Sequence, residues 1–230
     1  MNWKEFCRPD PVVSVVDEDC QVRRTIQQLC NIMNLDFEGF ASGAAFLDAI
    51  ESDHVGCVVT ELKVPDINGI QIQETLIAHG INLPLIFLTA HATVPIAVRA
   101  LRAGAFHLFE KPVPQQELWN SIQEAIERDV QRRKAAQRAE QLQRQLAELT
   151  FKEEQVIRLM GESKGPRAIA KELDLSIRTI EVRRNQIMKK LALKSLDDLL
   201  RFAVEVRDER PTGNGHLRRT SSARPCAGPH

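Results

Sequence analysis

The sequence predicts a two-domain chain. An α/β domain with a doubly wound, five-stranded parallel sheet is joined by a long helix to an all-α, four-helix domain. Three observations predict it. Five short apolar runs alternate with helical patterns over residues 11–112. Residues 114–149 then contain no Gly and no Pro after Pro114. Beyond Thr150 apolar residues recur only at helical spacing. At about 100–200 residues per domain, 230 residues suit one large domain or two small ones.

Each element has its own justification. Val12–Val16 is the first apolar run, and Val22, Ile26, Leu29 and Met33 mark one helical face after it. Phe37–Phe40 is a short second strand, and Ser42 caps a helix carrying Phe46, Leu47 and Ile50. Val55–Thr60 is the third run, followed by a helix over Ile70–Ile77. Leu85–Thr89 is the fourth, followed by a helix over Val94–Ala103, and Ala105–Phe109 is the fifth. Runs apolar at successive positions are expected of strands buried on both faces, as in parallel sheets.

Pro114 suits a first helical turn. The helix it opens carries Leu118, Ile122, Ile126 and Val130, then Ala135, Ala139, Leu142, Leu146 and Leu149. The second set follows a heptad rhythm, which predicts a short coiled coil in a homodimer. A solvated connector is the alternative, because two heptads fall short of the usual three or four. Thr150 and Glu153 form a capping box that opens the next helix. Three more helices are expected at about 166–173, 177–191 and 196–205. The tail is rich in Gly, Pro, Ser and Arg and is expected to be disordered. The predicted divisions are 11–130, 131–149 as linker, 150–207, and 208–230 as tail.

Composition narrows the class. Hydrophobic residues make up 43 %, enough for packed cores. No apolar run approaches the roughly 18 residues of a membrane span. Residues 1–9 lack the apolar stretch of a signal peptide, so a cytoplasmic protein without a membrane partner is expected. Five cysteines with no C-x-x-C spacing support neither a disulfide framework nor a Cys-based zinc site. The net charge of zero conceals an asymmetry. Residues 11–112 hold 12 acidic against 6 basic residues, whereas residues 150–207 hold 9 acidic against 13 basic. Two domains with different partners follow, the second suited to nucleic acid.

In a doubly wound sheet, chemistry collects at the carboxyl ends of the strands. Asp17, Glu18 and Asp19 follow the first strand, Glu61 the third, Thr89 the fourth and Lys111 the fifth. Strands one and three flank the switch point of a 2-1-3-4-5 order, so their carboxylates can converge. Oxygen ligands of this kind suit Mg²⁺. A hydroxyl and an ammonium opposite them suit a phosphoryl group.

The stretches VVDED at 15–19, ELKVPDINGI at 61–70, FLTA at 87–90 and FEKP at 109–112 resemble the receiver domain of two-component response regulators, a flavodoxin-like fold. By position, the resemblance implies that Asp17 and Glu18 are the Mg²⁺-binding acid pair. Thr89 would be the switch hydroxyl and Lys111 the phosphate-reading lysine. Pro65 and Gly69 match the loop after the phosphoacceptor. There are two departures. Glu61 stands where the family carries the phosphoacceptor Asp, and Leu108 stands where it carries the switch aromatic. Glu adds one methylene, moving the carboxylate outward by about 1.5 Å, and in-line transfer tolerates such misplacement poorly. A non-phosphorylated receiver is expected, in which Glu61 is either a built-in mimic of phosphorylation or a dead site held by an ion pair. Aspartyl phosphatases of the haloacid-dehalogenase class share D-x-D, Thr and Lys. That enzyme class is set aside, because Gln21 stands where its motif needs Thr or Val and the chain turns to helix after Lys111.

The stretches LTFKEEQVIRLM at 149–160, AIAKELDLSIRTIEVRRNQIMKKL at 168–191 and KSLDDLLRFA at 194–203 resemble the DNA-binding domain of LuxR-type and FixJ/NarL-type regulators. Ala168, Ile169 and Leu173 would make a tight helix crossing, and Ser176 would cap the recognition helix, with Ile180, Ile187 and Leu191 inward. Its outer face would carry Arg178, Thr179, Glu181, Val182, Arg183, Arg184, Asn185, Lys189 and Lys190. The resemblance implies that Glu181, Val182 and Asn185 touch base edges, while Arg184 and Lys189 bind phosphates. The expected whole is a dimeric, duplex-DNA-binding transcriptional response regulator of a phosphorelay, served by a histidine kinase or another signalling protein. A protein-interaction module that does not bind DNA is the second reading.

Overall fold

The computed structural model describes residues 10–209. The expected disordered tail lies almost wholly outside the described residues. The chain divides into two compact units between Ala136 and Gln137.

The first unit holds β1 (Val12–Val16), α1 (Cys20–Ile32), β2 (Asp36–Phe40), α2 (Gly43–Ala49), β3 (Gly56–Thr60), α3 (Gly69–Ala78), β4 (Leu85–Thr89), α4 (Val94–Arg102) and β5 (His107–Glu110). The strands form one sheet in the order β2-β1-β3-β4-β5, and every neighbouring pair is parallel. The alternation along each central strand sorts residues into two cores. Val13, Val15, Cys57, Val59, Ile86 and Leu88 share one cluster with Ile26 of α1 and with Leu118, Ile122 and Ile126. Val16, Val58, Leu85 and Phe87 share the other with Phe46 of α2, Ile70, Ile72 and Leu76 of α3, and Ala100 of α4. Every residue of β3 and β4 is buried, hence their run of non-polar residues up to the closing Thr60 and Thr89.

The fifth strand begins two residues later than the apolar run suggests. Gly104, at φ +94°, and the bond from Ala105 N to Ala100 O close the end of α4. The ladder with β4 therefore starts at the pair Ile86 and His107.

Helix α5 runs unbroken over Gln115–Ala147. The second unit takes the end of this helix and adds α6 (Phe151–Gly161), α7 (Pro166–Glu172), α8 (Ile177–Lys190) and α9 (Leu196–Asp208). Here the heptad expectation needs correction. Leu142 is 1 % exposed, inside the cluster of Val156, Ile157, Leu199, Phe202 and Val206, and Leu146 and Leu149 pack against that cluster. Ala135 is exposed. The heptad rhythm reflects a helix laid on its own domain, so these leucines do not form a free seam. The second compact unit accordingly takes in the helix from Gln137 onward. An ion pair between Arg138 and Glu205 joins the same two helices. Among the described residues, no helix is long and apolar enough to cross a membrane.

Replacing Leu142 with Ala should cost about 2–5 kcal/mol. The exposed neighbour Gln143→Ala should stay within about 0.5 kcal/mol. Chemical denaturation of the two variants checks this, and equal midpoints would mean that Leu142 is not part of the domain core.

Candidate functional sites: a carboxylate pocket and a nucleic-acid interface

The pocket is assembled from the carboxyl ends of β1, β3, β4 and β5. Asp17 directly follows β1, its N–H donating to Phe40 O at 3.1 Å. Asp19 caps α1, accepting from Gln21 N at 2.8 Å, and its own N–H donates to Asp17 Oδ1 at 2.9 Å. Glu61 follows β3, its N–H donating to Val16 O at 2.9 Å. Lys111 follows β5, its N–H donating to Thr89 O at 2.8 Å.

The ammonium of Lys111 lies between two carboxylates, donating to Asp17 Oδ2 at 2.7 Å and to Glu61 Oε2 at 2.9 Å. The Asp17, Glu61 and Lys111 side chains are 4 %, 12 % and 22 % exposed, so water screens this bridge only partly. The other Glu61 oxygen accepts from Leu62 N at 2.8 Å, and the Thr89 hydroxyl also bonds the carboxylate. Burial pushes the Glu61 carboxyl up. The hydrogen bonds from Thr89 and Lys111, the Lys111 charge and the Leu62 amide outweigh it and hold the group below its ordinary value. Burial likewise pushes Lys111 down, but Asp17 and Glu61 outweigh it, leaving the ammonium harder to deprotonate than usual.

Gly69 permits the loop after Glu61 to fold back. A Cβ there would lie 2.6 Å from Glu61 O and 2.8 Å from Phe87 Cε1. Asp66 fastens the same loop to α2, accepting from Gly43 N at 3.0 Å and Ala44 N at 2.7 Å.

Four of the expected residues, Asp17, Glu61, Thr89 and Lys111, therefore meet. Glu18 does not join them, since it is exposed. Leu108 is half-buried on β5, paired in register with Phe87 and packed on the second core. Arg23 escaped the sequence reading. Its guanidinium donates to the backbone carbonyls of Asp17 and Glu18, which ties the loop carrying both acids to α1. A basic residue one turn after an acidic helix cap was the available signal. Asp17 and Glu18 are the residues the resemblance assigns to Mg²⁺. Among the described residues, no three acidic, histidine or cysteine side chains gather as a metal-binding group. The donors do not fit a divalent ion in this arrangement, and Lys111 supplies the positive charge between the carboxylates.

In the second unit, α7 and α8 are joined by a short turn in which Asp174 has φ 52° and Leu175 N donates to Ala170 O at 2.9 Å. Ser176 caps α8, accepting from Thr179 N at 3.1 Å. Ile180 and Ile187 are fully buried and Leu191 nearly so. The small residue buried at the crossing is Ala170 rather than Ala168, which is exposed.

Arg178, Glu181, Val182, Asn185 and Lys189 are exposed, and their spacing places them on one face of α8. Thr179 is half-buried, its hydroxyl bonded to Ser176 Oγ at 2.8 Å. Arg183 and Arg184 are also half-buried, and Arg184 Nε is buried without a partner. Lys190 pairs with Glu153 Oε2 at 2.6 Å, fastening the end of α8 to the start of α6. Glu153 belongs to the expected capping box, accepting from Thr150 N at 2.8 Å. Lys152, Arg183, Lys189 and Lys190 then line an open basic groove beside α8.

Comparison with known proteins agrees with both halves. The response regulator receiver domain family matches residues 13–123. The luxR family of bacterial regulatory proteins matches residues 147–203. Response regulator protein TodT of Pseudomonas putida is 31 % identical over 86 % of this chain and 87 % of its own. Transcriptional regulatory protein FixJ of Bradyrhizobium diazoefficiens is 32 % identical over 84 % of this chain and 94 % of its own. Among solved structures, response regulator StyR has a TM-score of 0.71 and 33 % identity, covering 85 % of this chain and 99 % of its own. Full-length FixJ from B. japonicum has a TM-score of 0.54 and 31 % identity, covering 84 % of this chain and 96 % of its own. The chain belongs to the response-regulator family, as a transcriptional regulator that joins a receiver domain to a LuxR-type DNA-binding domain.

Proposed function

We propose that this response regulator controls transcription through a receiver that takes no phosphoryl group, with Glu61 acting as a fixed substitute for one. The observation that carries the reading is the bridge from Lys111 to Asp17 and Glu61. A phosphorylated receiver needs an anion that engages both the switch hydroxyl and the lysine. The longer Glu61 side chain delivers a carboxylate to Thr89 and Lys111 without a donor molecule. Leu108 in place of an aromatic switch residue fits a site that no longer toggles. The kinase's phosphoryl input is thereby unnecessary, and a signalling partner would act by binding.

DNA reading falls to the exposed face of α8. Glu181, Val182 and Asn185 have the chemistry for base edges: a carboxylate for a cytosine amine, a methyl pair for thymine, an amide for adenine. Arg178 and Lys189 have that for phosphates. Thr179 and Arg184 contribute less directly, being held in the cap and the helix flank. The protein acts as a homodimer in the cytoplasm. With the linker leucines in the domain core, a second copy would meet other exposed apolar residues at helical spacing, Leu196, Leu200 and Val204 on α9 or Val94, Val98 and Leu101 on α4.

Three tests follow from this reading. Acetyl phosphate with Mg²⁺ should leave the intact mass unchanged, and Glu61→Asp should restore the adduct. A stable phosphoryl adduct on the native chain would end the proposal.

The carboxylate bridge also fixes a pH dependence. The depressed Glu61 carboxyl contributes stability that is present above the unfolded value of about 4.3 and lost as pH falls through the folded one. Urea denaturation of Glu61→Gln between about pH 5 and pH 3 should show a flatter acid decline than the native chain. Parallel declines would mean that the bridge does not form in solution.

On operator DNA, Lys189→Ala should weaken all sequences alike and lower the salt slope by about one contact. Asn185→Ala should cost about 1–3 kcal/mol at one base pair only. If neither changes binding across a titration in salt and sequence, α8 is not the reader and the interaction-module reading takes its place.

A further inference from the structure

The opposite edge of the sheet, at the amino ends of the strands, holds a cavity separate from the carboxylate pocket. It has a volume of about 300 Å³, lined from α3, the segments leading into β4 and β5, and α5. That lies at the lower end of small-molecule sites. Leu76, Ile81, Leu83 and Phe106 give it an apolar wall.

Its polar groups are unevenly satisfied. Gln73 is 5 % exposed and donates Nε2 to Ala103 O at 3.0 Å, but its Oε1 is buried with no hydrogen-bond partner. An orphaned buried acceptor is costly and calls for a donor. The guanidinium of Arg128 lies 5.7 Å from the centre of the Phe106 ring and has no carboxylate partner among the described residues. The one acid lining the cavity, Asp129, is already neutralised. It accepts from Arg132 at 2.6 Å, from Arg133 at 2.9 Å and from Gly56 N at 3.2 Å. Among the described residues the cavity therefore has an apolar wall, one exposed cation without a carboxylate partner, lying on the Phe106 ring, and one orphaned acceptor that a ligand reaches once the Gln73 side chain turns.

We propose that this cavity binds a small organic monocarboxylate with an apolar body and a hydroxyl group. The carboxylate pairs with Arg128, the body covers Leu76, Ile81, Leu83 and Phe106, and the hydroxyl donates to Gln73 Oε1. Inorganic phosphate is a poorer fit, because its oxygens would face the apolar wall unpaired. The proposal is independent of the Glu61 reading, whose residues lie at the other edge of the sheet.

The test uses the full chain with three probes, 4-hydroxybenzoate, benzoate and 4-hydroxybenzamide, in saturation-transfer NMR and calorimetry. 4-Hydroxybenzoate should bind, benzoate more weakly, and the uncharged amide about tenfold or more weakly, as loss of a charged hydrogen bond predicts. Arg128→Gln, a surface change that leaves the fold intact, should abolish the preference for the acid over the amide. Arg24→Gln, exposed on α1 and not among the residues lining the cavity, should leave it unchanged. Gln73→Leu should erase the difference between 4-hydroxybenzoate and benzoate. The proposal fails if no acid binds at millimolar concentration, if the amide binds as tightly as the acid, or if Arg128→Gln binds as the native chain does.

Discussion

The ammonium of Lys111, held between Asp17 and Glu61, is the constraint on which the upper edge of the receiver depends. Two carboxylates facing each other in a half-buried pocket repel, and without a cation one of them would have to be protonated. Lys111 removes that conflict. It also fixes three strand ends relative to one another, since the three residues directly follow β1, β3 and β5. Thr89 brings in the fourth strand through its bond to Glu61. A buried bridge of this kind is weak evidence for net stability, because desolvation offsets much of the attraction. Its contribution is to geometry: it selects one arrangement of the loops that follow the strands.

Those loops show how far the selection reaches. The backbone of Asp17 and Glu18 is held by Arg23, and the loop after Glu61 is held against α2 by Asp66. Glu61 itself lies against Gly69, where a side chain would collide with the Glu61 carbonyl. Each contact is local. Together they leave the loops around the bridge with neighbours that are themselves fixed. In a receiver that toggles, such loops must have two comparable arrangements. On the proposed reading, a glutamate paired with the lysine takes the place of the chemical event that would choose between them.

Much of this was legible in the sequence, for a physical reason. Strands buried on both faces must be apolar at consecutive positions, so β1, β3 and β4 are visible as runs, and their carboxyl ends point to Asp17, Glu61 and Thr89. Capping residues are equally local, and Ser42, Ser176 and the Thr150–Glu153 box all occupy the ends they suggest. What escaped depends on partners remote in sequence. The spacing of Leu142, Leu146 and Leu149 is the same whether the face meets a second copy or its own domain. Only the position of Val206, more than sixty residues later, decides between them. Ala168 and Ala170 are equally small, and the crossing of α7 with α8 selects the second. Arg23 escaped for a similar reason. The side chain that reaches the pocket loop belongs to the helix, while the adjacent acid turns to solvent.

The two edges of the sheet differ in how completely their charges are matched, and that difference bears on where a signal can enter. At the upper edge each buried charge has its partner: Asp17 and Glu61 share Lys111, and backbone amides take the remaining oxygens. A new ligand there would have to displace a charge pair already made. At the lower edge Asp129 is saturated by Arg132, Arg133 and Gly56, yet among the described residues Arg128 has no carboxylate partner and the Gln73 carbonyl no donor, beside an apolar cavity. Binding free energy is available where groups gain partners, not where they exchange them. Arg128 and Asp129 both sit on α5, the helix that runs on from the receiver to Ala147. The proposed ligand, in ordering those groups, would act on this helix without recourse to the site that Glu61 occupies.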